Sequence, residues 1–101
     1  MTDIEIISSF KAAVKRTCPG CEIFFFGSRA KGKHAKDSDY DVLVIVDVLD
    51  PGIRRKIYEC AWEVGFAHDA LIAPVVCEKK EFKRYASSPF YQNVIKTGLR
   101  L

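Results

Sequence analysis

The sequence predicts an α/β (α+β) domain in which helices pack against a small mixed β-sheet, and three observations carry that prediction. Residues 3–17 and 51–64 place apolar side chains at helical spacing. Short apolar runs around 22–26, 39–47 and 68–76 read as strands. The segments alternate in the order αβ(α)βαβαα, which stacks helices on a sheet. A chain of 101 residues suffices for one modest core, so residues 1–101 are read as one domain.

In the first helix Ile6, Ile7, Phe10, Ala13, Val14 and Thr17 form one stripe, with Glu5, Ser9, Lys11 and Lys15 off it. Thr2 or Asp3 can cap its start, and Pro19-Gly20 ends it. The aromatic run Ile23-Phe24-Phe25-Phe26 reads as a buried strand that leaves through a Gly27-Ser28 turn. A short helical turn over 28–32 and a polar loop over 33–38 follow. The second strand runs from about 39 to 47, and its segment Val42-Leu43-Val44-Ile45-Val46 is apolar on both faces.

Asp50 caps the next helix with Pro51 at its first position. Ile53, Ile57, Cys60, Ala61 and Val64 form the apolar stripe, Tyr58 and Trp62 read as packing residues, and Gly65 is the predicted stop. The third strand spans 68–76. Pro74 removes a ladder donor there, which demands an edge position or a bulge. A short helix is predicted over 78–85, and a last one opens at Ser88-Pro89 and closes at Gly98. Of Phe82, Tyr85, Phe90 and Tyr91, at least two are expected in the core of these helices.

Hydrophobic content of 49% and charged content of 29% describe an ordinary globular chain. No apolar run reaches membrane-spanning length. The start MTDIEII lacks the basic flank and cleavage site of a signal peptide. A cytoplasmic chain with reduced thiols is expected. The pair Cys18-Pro19-Gly20-Cys21 raises redox and zinc readings. A redox pair sits after a strand at a helix N-terminus, whereas here a helix precedes and a strand follows. Zinc needs further ligands, and Cys60 and Cys77 lack paired spacing. The pair therefore reads as a Pro-Gly turn flanked by small apolar residues. The net charge of +3 is too small to dictate a nucleic-acid partner. Arg29, Lys31, Lys33, His34 and Lys36 nevertheless concentrate in one loop, of which Lys33, His34 and Lys36 read as solvated.

The stretch that carries chemistry is Gly27-Ser28-Arg29-Ala30-Lys31-Gly32, then Ser38-Asp39-Tyr40-Asp41. In a strand, residues two apart share a face, so Asp39 and Asp41 project side by side. Two carboxylates that close repel, and one pKa rises unless a cation intervenes. Oxygen-only ligands suit Mg²⁺, which takes one or two carboxylates plus substrate phosphates. Gly27 permits close approach or positive φ, Ser28 offers a cap and a hydroxyl, and free N–H groups at a helix start bind phosphate. Either half alone reads as an ordinary turn or strand start, but the joint pattern is specific for a nucleotide and metal site.

The runs GSRAKG and SDYDVLVIV resemble the minimal nucleotidyltransferases of the DNA polymerase β-like superfamily, whose signature is Gly-Ser, about ten residues, then Asp-x-Asp. The similarity is sharp over 23–46, and AWEVGF and SPFYQNVIKTG resemble a prokaryotic subgroup of stand-alone domains. It implies the nucleotidyltransferase fold. It also implies Asp39 and Asp41 as catalytic residues holding two Mg²⁺ ions, and ATP as substrate. Gly27, Ser28, Arg29, Lys31 and Ser38 are the implied nucleotide-binding residues. The superfamily carries a third acid on a neighbouring strand, and Asp69 is the candidate for catalysis and metal binding. It departs from the pattern by following His68 at the strand's edge. If Asp69 points away, a two-acid site remains that binds nucleotide without rapid turnover.

The resemblance further points to antitoxins paired with HEPN-domain ribonucleases, which attach AMP to a toxin tyrosine. A second reading is a binding module that occludes a toxin, with Phe82, Tyr85, Phe90 and Tyr91 as its contact surface. A third is transfer to a small molecule or an RNA end, chemistry that usually adds acceptor domains this chain lacks.

Overall fold

The structure, a computed structural model, describes residues 2–32 and 38–101. Helix α1 (Asp3–Thr17) opens with a capping box. Thr2 Oγ1 accepts the Glu5 N–H at 3.2 Å, and the Glu5 carboxylate accepts the Thr2 N–H at 3.2 Å. Strand β1 (Glu22–Phe26) runs directly into the single-turn helix α2 (Gly27–Ala30). Strand β2 (Tyr40–Val46) and helix α3 (Pro51–Ala67) follow, the helix capped by Asp50 as predicted. Strand β3 (Ile72–Glu78), helix α4 (Lys79–Arg84), helix α5 (Pro89–Thr97) and strand β4 (Leu99–Arg100) complete the order.

The sheet order is β3-β2-β1-β4, with β2 and β3 parallel and the other pairs antiparallel. Strand β3 is thus an edge, which is where Pro74 belongs. One face, carrying Ile23, Phe25, Tyr40, Val42 and Val44, packs on Phe10 and Val14 of α1 and Ile57 of α3. The other face, carrying Phe24, Phe26, Leu43 and Ile45, packs on Phe82 of α4 and on Tyr91 and Val94 of α5. Burial on both faces explains the unbroken apolar run of β2. Phe82 and Tyr91 join that second core, whereas Tyr85 and Phe90 remain exposed.

Several elements differ from the sequence-based expectation. Gly65 does not stop α3, which runs on to Ala67. The helix closes instead with a Schellman pattern: Ala70 N–H donates to Gly65 O at 2.8 Å and Asp69 N–H to Phe66 O at 3.5 Å. Asp69 takes the left-handed conformation this requires, at φ 51°. Residues 68–71 are consumed by this cap, so β3 starts at Ile72 rather than at 68. Tyr58 and Trp62 are not core residues. Trp62 is 67% and Phe66 77% exposed, and their rings stack with centroids 5.2 Å apart. The two-residue strand β4 was not foreseen. Cys21 lies buried in the α1-side core, and burial pushes its thiol up to about 11, the reverse of a reactive thiolate. Among the described residues no helix is long and apolar enough to cross a membrane.

Gly65 is required by proximity, because a Cβ there would lie 2.5 Å from the Ala70 carbonyl oxygen. Gly65→Ala is expected to lower unfolding stability by roughly 1–3 kcal/mol, measured by urea denaturation, through overpacking of this turn.

Candidate active site

Antiparallel pairing of β1 with β2 sets Phe26 opposite Asp41, so β1 ends where the acidic segment begins. The next residue, Gly27, has φ 84°, a conformation open to glycine and strained for other residues. A Cβ on Gly27 would stand 2.3 Å from Asp41 Oδ2. The glycine therefore serves two needs at one point: a left-handed turn and space for a carboxylate.

Asp41 shares its face with Leu43 and Ile45, toward α4 and α5, while Tyr40 faces α1. Asp39 lies exposed just ahead of β2. Burial first, and then the charge of Asp39, raise the Asp41 pKa above its ordinary value of 3.8. The charge of Asp39 thus reaches the Asp41 carboxylate. A pair of oxygen donors that repel, one of them partly desolvated, suits a hard divalent cation.

Ser28 lies exposed in the first turn of α2, whose cap is Phe26 with no side-chain hydrogen bond. Ser28 is thus inside the helix rather than its cap. Gly27 opens this turn directly against Asp41. Lys31 is exposed at the end of α2, its N–H donating to Gly27 O at 3.3 Å. Ser38 uses its carbonyl to accept from Arg29 Nε at 2.6 Å. Lys33, His34 and Lys36 lie outside the described residues.

Two expected placements are corrected. Arg29 does not turn to the acidic face. Its guanidinium stacks over the Tyr40 ring at 4.2 Å and pairs with Asp3 Oδ1 at 2.9 Å, on the α1 side of the sheet. Asp69 is not carried beside Asp39 and Asp41, because the α3 cap holds it ahead of β3. Parallel register puts Ala73, not an acid, next to Asp41. Among the described residues no three His, Cys, Asp or Glu side chains form a metal-holding group. Asp69 instead lines a groove of about 1120 Å³ between α1, α3 and the start of β3, with Arg29, Ser38, Trp62 and Phe66. Sequence reasoning passed over Asp3 and Tyr40, and the only signal for Asp3 was its place at a helix start.

A family profile described as a nucleotidyltransferase domain matches residues 7–97. The chain belongs to the nucleotidyltransferase domain family. This nucleotidyltransferase is 32% identical over 83 residues to a Methanocaldococcus jannaschii protein named "Putative protein adenylyltransferase MJ0141", covering 78% of this chain and 83% of that one. Among solved structures it is similar to a toxin–antitoxin crystallised with AMP-PNP, at 26% identity and TM-score 0.64 over 99% of this chain and 72% of that one. It is also similar to a tyrosine-to-alanine variant of the toxin–antitoxin MntA-HpeT, at 28% identity and TM-score 0.61 over 100% and 72%. The proteins it is similar to thus include a putative protein adenylyltransferase and toxin–antitoxin structures.

Two outcomes follow from the site. Gly27→Ala should reduce divalent-ion binding at least about ten-fold by displacing Asp41, checked by calorimetric titration with Mg²⁺ and AMP-PNP. The second concerns pH. Because folding raises the Asp41 pKa above 3.8, the folded protein keeps a proton that the unfolded chain releases. Metal-free stability contributed by this group is present below 3.8 and is lost as pH rises through the folded value. Thermal melting at pH 7 without divalent ions should therefore show Asp41→Asn more stable than wild type, with Mg²⁺ stabilising wild type only.

Proposed function

We propose that this nucleotidyltransferase moves AMP from ATP to a hydroxyl of a partner protein, a tyrosine of a HEPN-domain toxin, and so acts as its antitoxin. The observation that carries the proposal is Asp41 held against the Gly27 turn, with Asp39 two residues ahead of it. Asp39 and Asp41 would hold Mg²⁺. When bound, the ion would lower the pKa of the attacking hydroxyl and neutralise charge on the phosphates. The backbone of Gly27 and Ser28 and the Ser28 hydroxyl would position the phosphates, with the exposed Lys31 adding charge nearby. The acceptor oxygen would form its bond to the α-phosphorus as the α–β anhydride bond breaks and pyrophosphate departs. In such displacements the protein chiefly positions groups and stabilises charge. Asp69 has no part in this reading, since Ala73 stands beside Asp41.

A protein acceptor is favoured over a small molecule by the exposed aromatics of α3. Tyr58, Trp62 and Phe66 recur every fourth residue and line the groove that also reaches Ser38, the neighbour of Asp39. Contiguous exposed apolar surface of this kind marks contact with other macromolecules. The AMP-PNP-bound toxin–antitoxin relative supports the nucleotide and the class of partner.

The test incubates the protein with ATP, Mg²⁺ and a cognate HEPN protein, followed by intact-mass spectrometry. The HEPN protein should gain the mass of AMP at a tyrosine, and the Asp39→Ala/Asp41→Ala double variant should give none. Equal labelling by the double variant removes the proposal. Protection from toxin by an inactive double variant would support occlusion instead.

A further inference from the structure

We propose that Arg29, Tyr40 and Asp3 form a positioning clamp that sets the acidic pair against the Gly27 turn from the opposite face of the sheet. The inference rests on the reading of Asp39 and Asp41 as the catalytic pair and assigns the clamp no contact with substrate.

Arg29 Nε donates to Ser38 O at 2.6 Å, and Ser38 is the residue before Asp39. Arg29 Nη1 donates to Asp3 Oδ1 at 2.9 Å, and the Tyr40 hydroxyl donates to the same oxygen at 2.7 Å. The guanidinium lies 4.2 Å over the Tyr40 ring, whose other neighbour is Phe25 at 6.2 Å. Tyr40 separates the two acids in sequence and points away from them, so fixing its side chain fixes the backbone between them. Arg29 sits two residues after Gly27. One side chain thereby ties the phosphate turn, the residue before Asp39 and the start of α1.

The arrangement needs a guanidinium. A planar fork donates to a carbonyl and a carboxylate while its face rests on an aromatic ring, whereas an ammonium supplies charge alone. The Arg29 side chain is only 8% exposed, which suits an internal tie better than a phosphate contact. Removal of such supporting groups typically lowers metal affinity or activity about 10- to 100-fold while the primary ligands remain.

The test compares wild type, Arg29→Lys and Tyr40→Phe as full chains. Melting and circular dichroism monitor folding, and Mn²⁺ binding is followed by electron paramagnetic resonance in the presence of AMP-PNP. The kcat and KM for ATP are measured in the AMP-transfer reaction. Arg29→Lys should lose about 10- to 100-fold in kcat and in Mn²⁺ affinity, with KM for ATP unchanged. Tyr40→Phe, which keeps the ring and loses the hydroxyl, should fall in the same direction by less. Wild-type kcat and Mn²⁺ affinity in Arg29→Lys would overturn the clamp, because they show that charge suffices. A raised KM with intact kcat would overturn it too, because it marks a phosphate contact. Should Arg29→Lys fail to fold, Tyr40→Phe decides: reduced Mn²⁺ affinity supports the clamp and wild-type affinity overturns it. A wild-type protein that neither binds Mn²⁺ nor transfers AMP overturns the active-site reading and the clamp with it. An active wild type with unaffected variants overturns the clamp alone.

Discussion

A carboxylate occupies the space where residue 27 has no side chain. That contact, Asp41 over Gly27, is the constraint on which the rest of the molecule depends. It demands that β1 end opposite the start of β2, and the Phe26–Asp41 register provides this. It demands a left-handed turn at 27, which glycine supplies without strain. It also sets a partly buried carboxylate near the charge of Asp39, and both raise the Asp41 pKa.

The two faces of the sheet divide the labour. Asp41 projects with Leu43 and Ile45 toward α4 and α5, whereas Tyr40, Val42 and Val44 anchor the same strand against α1 and α3. Period-2 alternation lets adjacent residues of β2 serve chemistry and support. The buried side therefore does more than fill space: through Tyr40, Arg29 and Asp3 it links the start of the first helix to the backbone of the acids. The outer aromatics of α3 lie at the rim of the same region.

What the sequence disclosed follows from the range of each interaction. Thr2 with Glu5, Asp50 with Pro51, and Ser88 with Pro89 are local signals, and the helices they open begin where predicted. The pairing of Asp39 with Asp41 is a local expectation too, drawn from their spacing of two. The role of Arg29 was hidden because its partner Asp3 lies 26 residues earlier. The placement of Asp69 was hidden because an aspartate in left-handed geometry replaced the glycine that usually marks such a cap. Tyr58 and Trp62, expected to pack, are exposed, since helical spacing reports a stripe without saying what covers it. Strand β4 has only Leu99 and Arg100, too short for any periodicity.

The acidic pair and the glycine-serine turn are expected to share one metal and nucleotide pocket. Paramagnetic broadening of backbone amide signals by Mn²⁺ with AMP-PNP tests it most directly. The amides of Gly27, Ser28, Asp39, Tyr40 and Asp41 should broaden first and recover when Mg²⁺ is added in excess. Broadening centred on His68 and Asp69, or spread without a focus, would rule out that pocket.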